Sequence, residues 1–223
     1  MVKEEYFKSG TIDGRARQLL DSVLSLRDRH QWELVPRAAA LLVLDMQRYF
    51  LRESSHAFVP SARAIIPRVR SLQEVFFRHG LPVIQTRHIN TEKNAGKMKT
   101  WWQELLSPDS ELAGLTDELI DSRALVVDKS RYDAFFNTGL EGILTAKEAK
   151  QVVITGVMTH LCCDTTARSA FMRGYDVFMA VDATATYNLA FHRSALLNLS
   201  HGFAVPVLAQ EILDLINEKR ESI

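Results

Sequence analysis

Three residues of different chemistry stand at or just beyond the ends of apolar segments in this sequence. Asp45 ends the run "AAALLVLD", Lys129 ends the run "ALVVDK", and Cys162 follows a third apolar run by a few residues. A thiolate is a strong nucleophile, a carboxylate can take the thiol proton, and an ammonium group stabilises the sulfur anion. Taken singly, Asp45 is equally compatible with a turn and Lys129 with a solvated surface charge. Their joint placement favours nucleophilic attack by Cys162 on a carbonyl carbon.

The two cysteines of the chain are adjacent, at Cys162 and Cys163, and a segment of helical period follows them. Unpaired backbone N–H groups and the positive dipole end at a helix start stabilise a thiolate. We therefore expect a lowered pKa for Cys162, with Thr159 as the helix N-cap and backbone N–H groups available to an oxyanion. Cys163 is rotated by about 100° on a helix, so we expect it to be a small buried apolar residue.

Short apolar runs alternate with longer segments of helical period over most of the chain. Runs that are apolar on both faces and joined by helix-length connections are typical of a parallel sheet covered by helices. The pattern predicts one three-layer α/β/α, Rossmann-like domain over residues 38–223, preceded by a helical extension over residues 1–37. Ligands bind beyond the carboxyl ends of the strands in such sheets. The runs are 38–45, 81–87, 124–129, 151–157, 176–182 and 203–209.

Composition excludes several classes of partner. The 27 basic and 27 acidic residues cancel, and no run of like charge suits a nucleic acid. The longest apolar run, residues 38–44, is too short to span a bilayer, and two cysteines suit a reducing compartment. Motifs for dinucleotide, phosphate, serine-hydrolase and zinc-protease sites are absent. We expect a cytoplasmic protein with a small-molecule substrate and with neither nucleic acid nor membrane as a partner.

Three sequence blocks resemble the isochorismatase-like cysteine hydrolase superfamily, which includes nicotinamidases, N-carbamoylsarcosine amidases and isochorismatases. The blocks extend from about Ala38 to Pro206 and follow the family order of Asp, Lys and Cys. The resemblance implies that Asp45, Lys129 and Cys162 form a catalytic triad with Cys162 as the nucleophile. The blocks are "LLVLDMQRYF", "DKSRYDAFFNTGL" and "TGVMTHLCCDTTARSAFMRGYDVFMAVDATAT".

The resemblance also implies a six-stranded parallel sheet in the order 3-2-1-4-5-6 and a homo-oligomer. In that order Lys129 stands two strands from Asp45, about 10 Å away at normal strand spacing, so its long side chain must reach inward. A non-proline cis peptide bond is implied near Val157 and Met158. We expect the backbone N–H groups of Met158 and Cys162 to hold the oxyanion of a tetrahedral intermediate.

Departures from the family pattern bear on the cofactor and the substrate. Zinc-binding nicotinamidases carry an Asp-x-His motif and a further His, whereas "LRESSHAFVP" and "TRHINTEKN" offer only isolated histidines. We therefore expect no catalytic metal and no cofactor. Isochorismatases share the frame H-L-x-C-x-T-T-A but have a small, non-nucleophilic residue at the position of Cys162. The presence of Cys162 favours an amidase that cleaves a C–N bond through a thioester.

Alternatives to the amidase stay open at this stage. One is an isochorismatase-type vinyl-ether hydrolase, and another is a non-catalytic binding module on the same scaffold. A redox function of the adjacent thiols is a third. Trp101 and Trp102, within the irregular insert from Ile89 to Ser122, fit a pocket wall or a loop anchor equally well. The expected substrate-binding residues are Gln47, Phe50, His88, Tyr132 and Phe136.

Overall fold

The sheet of this protein is all-parallel, in a computed structural model that describes residues 2–29, 33–102 and 104–218. Over these residues the strand order is β3-β2-β1-β4-β5-β6, which confirms the order 3-2-1-4-5-6. The strands are β1 (Ala39–Leu44), β2 (Val83–His88), β3 (Leu125–Lys129), β4 (Gln151–Val157), β5 (Asp176–Ala185) and β6 (Val205–Val207).

Helices cover the sheet and supply the crossovers between parallel strands. In the described part of the chain they are α1 (Ile12–Asp21), α2 (Leu24–Arg27), α3 (Arg48–Leu51), α4 (Ala62–Arg78), α5 (Met98–Trp101), α6 (Leu140–Ala146), α7 (Asp164–Met172), α8 (Leu189–Gly202) and α9 (Ala209–Glu218). A π-helical turn, Thr159–Cys163, leads into α7.

The central strands of the sheet, β1 and β4, are completely buried, as expected for strands with helices on both faces. The edge strand β3 differs, because Leu125 and Val126 are 40% and 50% exposed. Since β2 lies on one side of β1 and β4 on the other, the strand order reverses between β1 and β4, which is where ligands bind in open parallel sheets.

Gly156 lets β4 approach β1 closely at the carboxyl end of the sheet. Its φ is +102°, and a Cβ at this position would lie 2.0 Å from the carbonyl oxygen of Leu44. Any other residue is therefore excluded by overlap with the backbone of β1. Asp45, the residue after Leu44, has a φ of +51°, a left-handed conformation that is uncommon for residues with a side chain. The backbone therefore has a positive φ at two neighbouring positions, Gly156 at the end of β4 and Asp45 just after β1.

Strand β5 is longer than the apolar run 176–182 predicts, because it extends to Ala185. The register of β4 against β5 shifts between Ile154 and Gly156, so that Gly156 pairs with Thr184. Irregularities in strand pairing, such as β-bulges, bend a strand and re-aim its side chains near active sites. This register shift is not readable from apolar periodicity.

The N-terminal residues pack onto this domain. Phe7 and Ile12 are wholly buried, and α1 contacts β5. The division into an extension (1–37) and a hydrolase domain (38–223) stays a prediction, and His30 and residues 219–220, at the ends of two predicted helices, lie outside the described residues. Within the described ranges, no helix combines the length and apolar character needed to cross a membrane.

Candidate active site

Asp45, Lys129 and Cys162 meet beyond the carboxyl ends of β1, β3 and β4. Lys129 Nζ lies 2.7 Å from Asp45 Oδ2 and 3.3 Å from Cys162 Sγ. Neither side chain of the Asp45–Lys129 ion pair is accessible to solvent. The long side chain of Lys129 therefore spans the width of β2, as the strand order requires. A carboxylate, an ammonium and a thiol thus share one buried site.

Hydrogen bonds complete the coordination of both buried charges. Thr86 Oγ1 donates to Asp45 Oδ1 at 2.7 Å, and Lys129 Nζ donates to the carbonyl oxygen of Arg131 at 2.9 Å. The three N–H donors of the Lys129 ammonium thus have three acceptors, namely Asp45, Arg131 and Cys162. A buried ion pair is tolerated only when its remaining hydrogen bonds are made, and this one meets that condition.

The site keeps the thiol of Cys162 protonated at rest. Burial and the negative charge of Asp45 raise the pKa of Cys162 to about 12, and Lys129 offsets them only in part. The expected lowering of this pKa is therefore wrong. The dipole of the helix start and the Lys129 ammonium favour a thiolate, but a thiolate here would be buried next to the carboxylate of Asp45. For Lys129, burial lowers the pKa, but Asp45 and Cys162 raise it above the usual lysine value, so the amine stays charged.

Cys162 is positioned by the π-helical turn. Cys163 N donates to the carbonyl oxygen of Met158 at 3.2 Å, a five-residue step typical of π-bulges at functional sites. Thr159 is not the N-cap, because Met158 holds that place and the buried Thr159 hydroxyl makes no hydrogen bond within the described chain. The peptide bond between Val157 and Met158 is cis, as the resemblance implies. The oxyanion roles of the Met158 and Cys162 N–H groups stay a prediction.

The two cysteines have different surroundings. Cys162 lines a cavity, whereas Cys163 is a wholly buried member of the apolar core. This confirms that Cys163 is a small buried apolar residue. Of the two cysteines, Cys162 alone therefore lines this cavity.

A cavity of about 50 Å³ opens above Cys162, which is room for a few water molecules or a small ligand. Its walls are mostly aromatic and apolar, with a few polar groups. The lining residues are Tyr49, Phe50, His56, Ala57, His88, Asn90, Met98, Trp102, Glu104, Leu106, Tyr132, Met158, Cys162 and Tyr187. Ligand cavities in proteins are typically apolar with a few polar groups of this kind.

The structure separates the five expected substrate-binding residues into two groups. Phe50, His88 and Tyr132 line the cavity, and Gln47 and Phe136 do not. Gln47 is wholly buried; its side-chain oxygen accepts from His88 N at 2.7 Å and its amide nitrogen donates to the carbonyl oxygen of Ala113 at 2.8 Å. Phe136 is 44% exposed. The structure therefore does not place Gln47 and Phe136 in the wall of this cavity, since Gln47 binds backbone groups and Phe136 faces solvent.

Sequence reasoning missed a polar cluster of Tyr49, His56 and Glu104 in the cavity wall. The Tyr49 hydroxyl and Glu104 Oε1 each lie 3.0 Å from His56 Nδ1. The hydrogen bond from His56 lowers the pKa of Glu104, which keeps this carboxylate ionised at neutral pH. His56 and Glu104 come from irregular loops without periodicity, so only Tyr49, four residues after Asp45, carried a usable signal.

Aromatic residues from the insert and from the loops that follow β3 and β5 close the cavity. Trp102 Nε1 donates to the Tyr132 hydroxyl at 2.7 Å, so Trp102 is a wall residue, whereas Trp101 is 78% exposed. Burial raises the pKa of Tyr187, another lining residue, to about 12. These groups are neutral at physiological pH, which leaves the cavity wall predominantly apolar.

The N-terminal segment reaches the rim of the cavity. Lys3 Nζ donates to the carbonyl oxygen of His56 at 2.5 Å and lies 4.8 Å from the centroid of the Tyr187 ring. Glu4 N donates to the carbonyl oxygen of Tyr187 at 2.7 Å. Two wall residues, His56 and Tyr187, are therefore joined through residues 3–4.

A metal ion does not fit the residues at the cavity floor. Ligand atoms of Asp45, His88 and Cys162 lie within 4.8 Å of one another, which is the spacing of a possible metal site. The ammonium of Lys129 already contacts both Asp45 and Cys162, so a divalent cation there would face a fixed positive charge. The charge of the Lys129 ammonium therefore disfavours a metal ion beside Asp45 and Cys162.

Comparison with known proteins places the chain among hydrolases. A family model described as "Isochorismatase domain" matches residues 39–211. The chain is 38% identical to "Nicotinamidase 3" of Arabidopsis thaliana, over 75% of this chain and 83% of that protein. It is 30% identical to "Enterobactin synthase component B" of Escherichia coli K12, over 84% of this chain and 66% of that protein. A solved cysteine hydrolase from Pseudomonas syringae pv. phaseolicola 1448A matches with a TM-score of 0.81 and 25% identity, covering 84% of this chain and 96% of that one.

Proposed function

Since the chain belongs to the isochorismatase-like hydrolase family, we propose that it is a metal-independent cysteine hydrolase with a catalytic triad of Asp45, Lys129 and Cys162. Its substrate is a small amide, whose C–N bond is cleaved through a thioester. One observation carries the proposal: the Lys129 ammonium lies 2.7 Å from Asp45 Oδ2 and 3.3 Å from Cys162 Sγ, beneath a cavity that Cys162 lines.

Acylation begins with a neutral thiol. As Sγ of Cys162 bonds to the carbonyl carbon, its proton passes to the carboxylate of Asp45. The C–N bond then breaks, and the nitrogen leaves with the proton from Asp45, which becomes a carboxylate again. The raised pKa of Cys162 supports this order, because a protonated resting thiol must lose its proton during attack.

Deacylation uses the same carboxylate. A water molecule gives one proton to Asp45 while its oxygen adds to the thioester carbon. The C–S bond breaks, and the sulfur recovers the proton from Asp45. The products are a carboxylic acid and the free enzyme, so Asp45 acts as base and acid once in each half of the cycle.

Positive charge and backbone donors stabilise the charged states along this path. Lys129 holds the developing thiolate, because it is already within hydrogen-bond distance of the sulfur. The N–H groups of Met158 and Cys162 hold the oxyanion, a contribution that typically amounts to about 3 to 4 kcal/mol per donor. We also propose that the enzyme acts as a homo-oligomer in the cytoplasm, on a small-molecule substrate.

The test compares two neighbouring cysteines. The wild-type protein, Cys162→Ala and Cys163→Ala are incubated with a panel of small primary amides, and release of ammonia is measured. Cys162→Ala should lower kcat by at least about a thousandfold, as removal of a catalytic nucleophile does. Cys163→Ala should retain most activity, and mass spectrometry should find the acyl adduct on Cys162 of the wild-type protein.

Retained amide hydrolysis in Cys162→Ala would contradict the thioester route. Vinyl-ether substrates should then be assayed, because protonation by Asp45 would cleave them without a thiol. Circular dichroism of both variants shows whether a loss of activity reflects the missing thiol or an unfolded chain.

A further inference from the structure

A single carboxylate borders the active-site cavity. Among the described residues that line the cavity, Glu104 alone has an acidic side chain, and that side chain is 51% exposed. The Asp45–Lys129 ion pair does not line the cavity and is not accessible to solvent. The carboxylate of Glu104 is therefore the acidic group that a substrate in the cavity can reach.

Two neighbours hold Glu104 in place and keep it ionised. Glu104 Oε1 lies 3.0 Å from His56 Nδ1, which is also 3.0 Å from the Tyr49 hydroxyl. The hydrogen bond from His56 lowers the pKa of Glu104, burial acts in the opposite direction, and a hydrogen bond from Tyr49 adds to the lowering. An ionised carboxylate has about four acceptor sites, so these two donors leave sites for a ligand.

The basic residue at the rim does not neutralise this charge. Within the described ranges, no lysine or arginine forms an ion pair with Glu104. The ammonium of Lys3 is engaged elsewhere, because its Nζ donates to the carbonyl oxygen of His56 at 2.5 Å and lies 4.8 Å from the centroid of the Tyr187 ring. The negative charge of Glu104 therefore remains available to a cationic ligand.

The aromatic side chains of the cavity wall also suit a cation. Tyr49, Trp102, Tyr132 and Tyr187 line the cavity, and the face of an aromatic ring attracts an ammonium group. The contact of Lys3 Nζ with the Tyr187 ring is one such interaction at the rim. Because unlike charges attract more strongly beside apolar walls than in bulk water, the wall favours a small cation over a neutral or an anionic group.

We propose that Glu104 is a specificity-determining residue that forms an ion pair with a protonated amine of the substrate. The preferred substrates are then small primary amides that carry an ammonium group at the end opposite the amide. The inference rests on the proposed amide hydrolysis and extends it to the substrate class, since Cys162 attacks the carbonyl carbon while Glu104 holds the other end. A carboxylate at that end is repelled by the same charge.

The experiment compares kcat/KM for three primary amides of matched length. β-Alaninamide ends in an ammonium group, butyramide in a methyl group and succinamate in a carboxylate. The wild type should have the highest kcat/KM for β-alaninamide and the lowest for succinamate. The series is repeated with one methylene group fewer and with one more, so that the length that spans the cavity is included.

Glu104→Gln removes the charge and keeps a side-chain carbonyl oxygen that can accept from His56. The ratio of kcat/KM for β-alaninamide to that for butyramide should fall by about tenfold, the size of a hydrogen bond to a charged group. The ratio for succinamate to butyramide should rise, because the repulsion is removed. Circular dichroism shows whether the variant is folded.

Glu92→Gln is the matched control. Glu92 belongs to the same insert, but it forms an ion pair with Lys99, is 71% exposed and does not line the cavity. This variant loses the same single negative charge and should leave both ratios unchanged. Equal changes of the ratios in Glu92→Gln and Glu104→Gln would reflect the net charge of the protein and overturn the inference.

Binding provides a readout that does not depend on turnover. Isothermal titration calorimetry of Cys162→Ala should show tighter binding of β-alaninamide than of butyramide, and the double variant Cys162→Ala/Glu104→Gln should bind the two compounds alike. Similar affinities for the two compounds in Cys162→Ala, or ratios of kcat/KM that do not change in Glu104→Gln, overturn the inference.

Failure of the proposed function gives a different result. If the amides are hydrolysed equally well by the wild type and by Cys162→Ala, or if none is hydrolysed although β-alaninamide binds preferentially, the cysteine mechanism fails and the preference of Glu104 for a cation stands. If hydrolysis depends on Cys162 but shows no preference for the ammonium compound, only the role of Glu104 fails.

Discussion

The active site consists of two regions that differ in origin and in exposure. The floor, formed by Asp45, Lys129 and Cys162, is held at strand ends, and both members of its ion pair are inaccessible to solvent. The loop wall, represented by His56 and Glu104, comes from irregular segments, and these two side chains are 32% and 51% exposed. Electrostatic interactions are strong where water is excluded and weak where solvent screens them.

From this difference we expect the floor to carry the chemistry and the wall to select the substrate. A substitution on the floor changes charges that no solvent can compensate, so we expect it to affect both turnover and stability. A substitution in the wall changes the shape or polarity of a partly hydrated surface, so we expect it to affect mainly KM. Substitutions in each region test this separation.

The largest effect is expected from Lys129→Met. This change leaves the buried carboxylate of Asp45 without its counter-ion, and breaking such a pair typically costs about 3 to 5 kcal/mol of unfolding free energy. Turnover should also be lost, because nothing then stabilises the thiolate. Urea denaturation followed by circular dichroism measures the stability, and amide hydrolysis measures the activity.

The double variant Asp45→Asn/Lys129→Met provides the control. Removing both charges should recover most of the lost stability without any recovery of activity. A single Lys129→Met variant as stable as the wild type would contradict the view that Lys129 compensates the buried charge of Asp45.

Asp45→Asn should separate thiol reactivity from catalysis. The negative charge of Asp45 raises the pKa of Cys162, so removing it lowers that pKa and increases the thiolate fraction at any pH below about 12. Labelling of Cys162 by iodoacetamide at pH 8 should therefore become faster than in the wild type. Hydrolysis should become slower by about a hundredfold or more, because the general base is missing.

Peptide mass spectrometry measures this labelling, and the wholly buried Cys163 is the internal control that should stay unmodified. Slower labelling of Cys162 in Asp45→Asn would show that the carboxylate activates the resting thiol and would contradict the direction of its pKa shift.

The smallest effect is expected in the wall, from Tyr132→Phe. The hydrogen bond that Trp102 Nε1 donates to the Tyr132 hydroxyl is lost, at a cost of about 1 kcal/mol. We expect KM to rise by about fivefold, with kcat within about twofold of the wild type. Phe136→Ala, outside the cavity, is the matched aromatic control and should change neither constant. A large loss of kcat in Tyr132→Phe would place Tyr132 with the floor.

The floor and the wall residues Phe50, His88 and Tyr132 were predictable from the sequence. The loop wall residues His56 and Glu104 were not, for a physical reason. Asp45 and Lys129 stand at the ends of apolar runs, and parallel strands bring their carboxyl ends to one edge. His56 and Glu104 lie in segments without periodicity, where neither neighbours nor exposure follow from the pattern. The direction of the pKa shift of Cys162 was not predictable for a related reason. Burial, its largest cause, depends on the whole fold and not on the local helix start.

The contact of Lys3 and Glu4 with His56 and Tyr187 has a consequence for how this enzyme can diverge from its relatives. These N-terminal residues precede the region 39–211 that the family model matches, yet they border the cavity. Mutation and selection can therefore alter the rim of the binding site through residues that the catalytic core does not constrain. Two paralogues with the same triad could in this way acquire different substrates by exchanging only their first few residues.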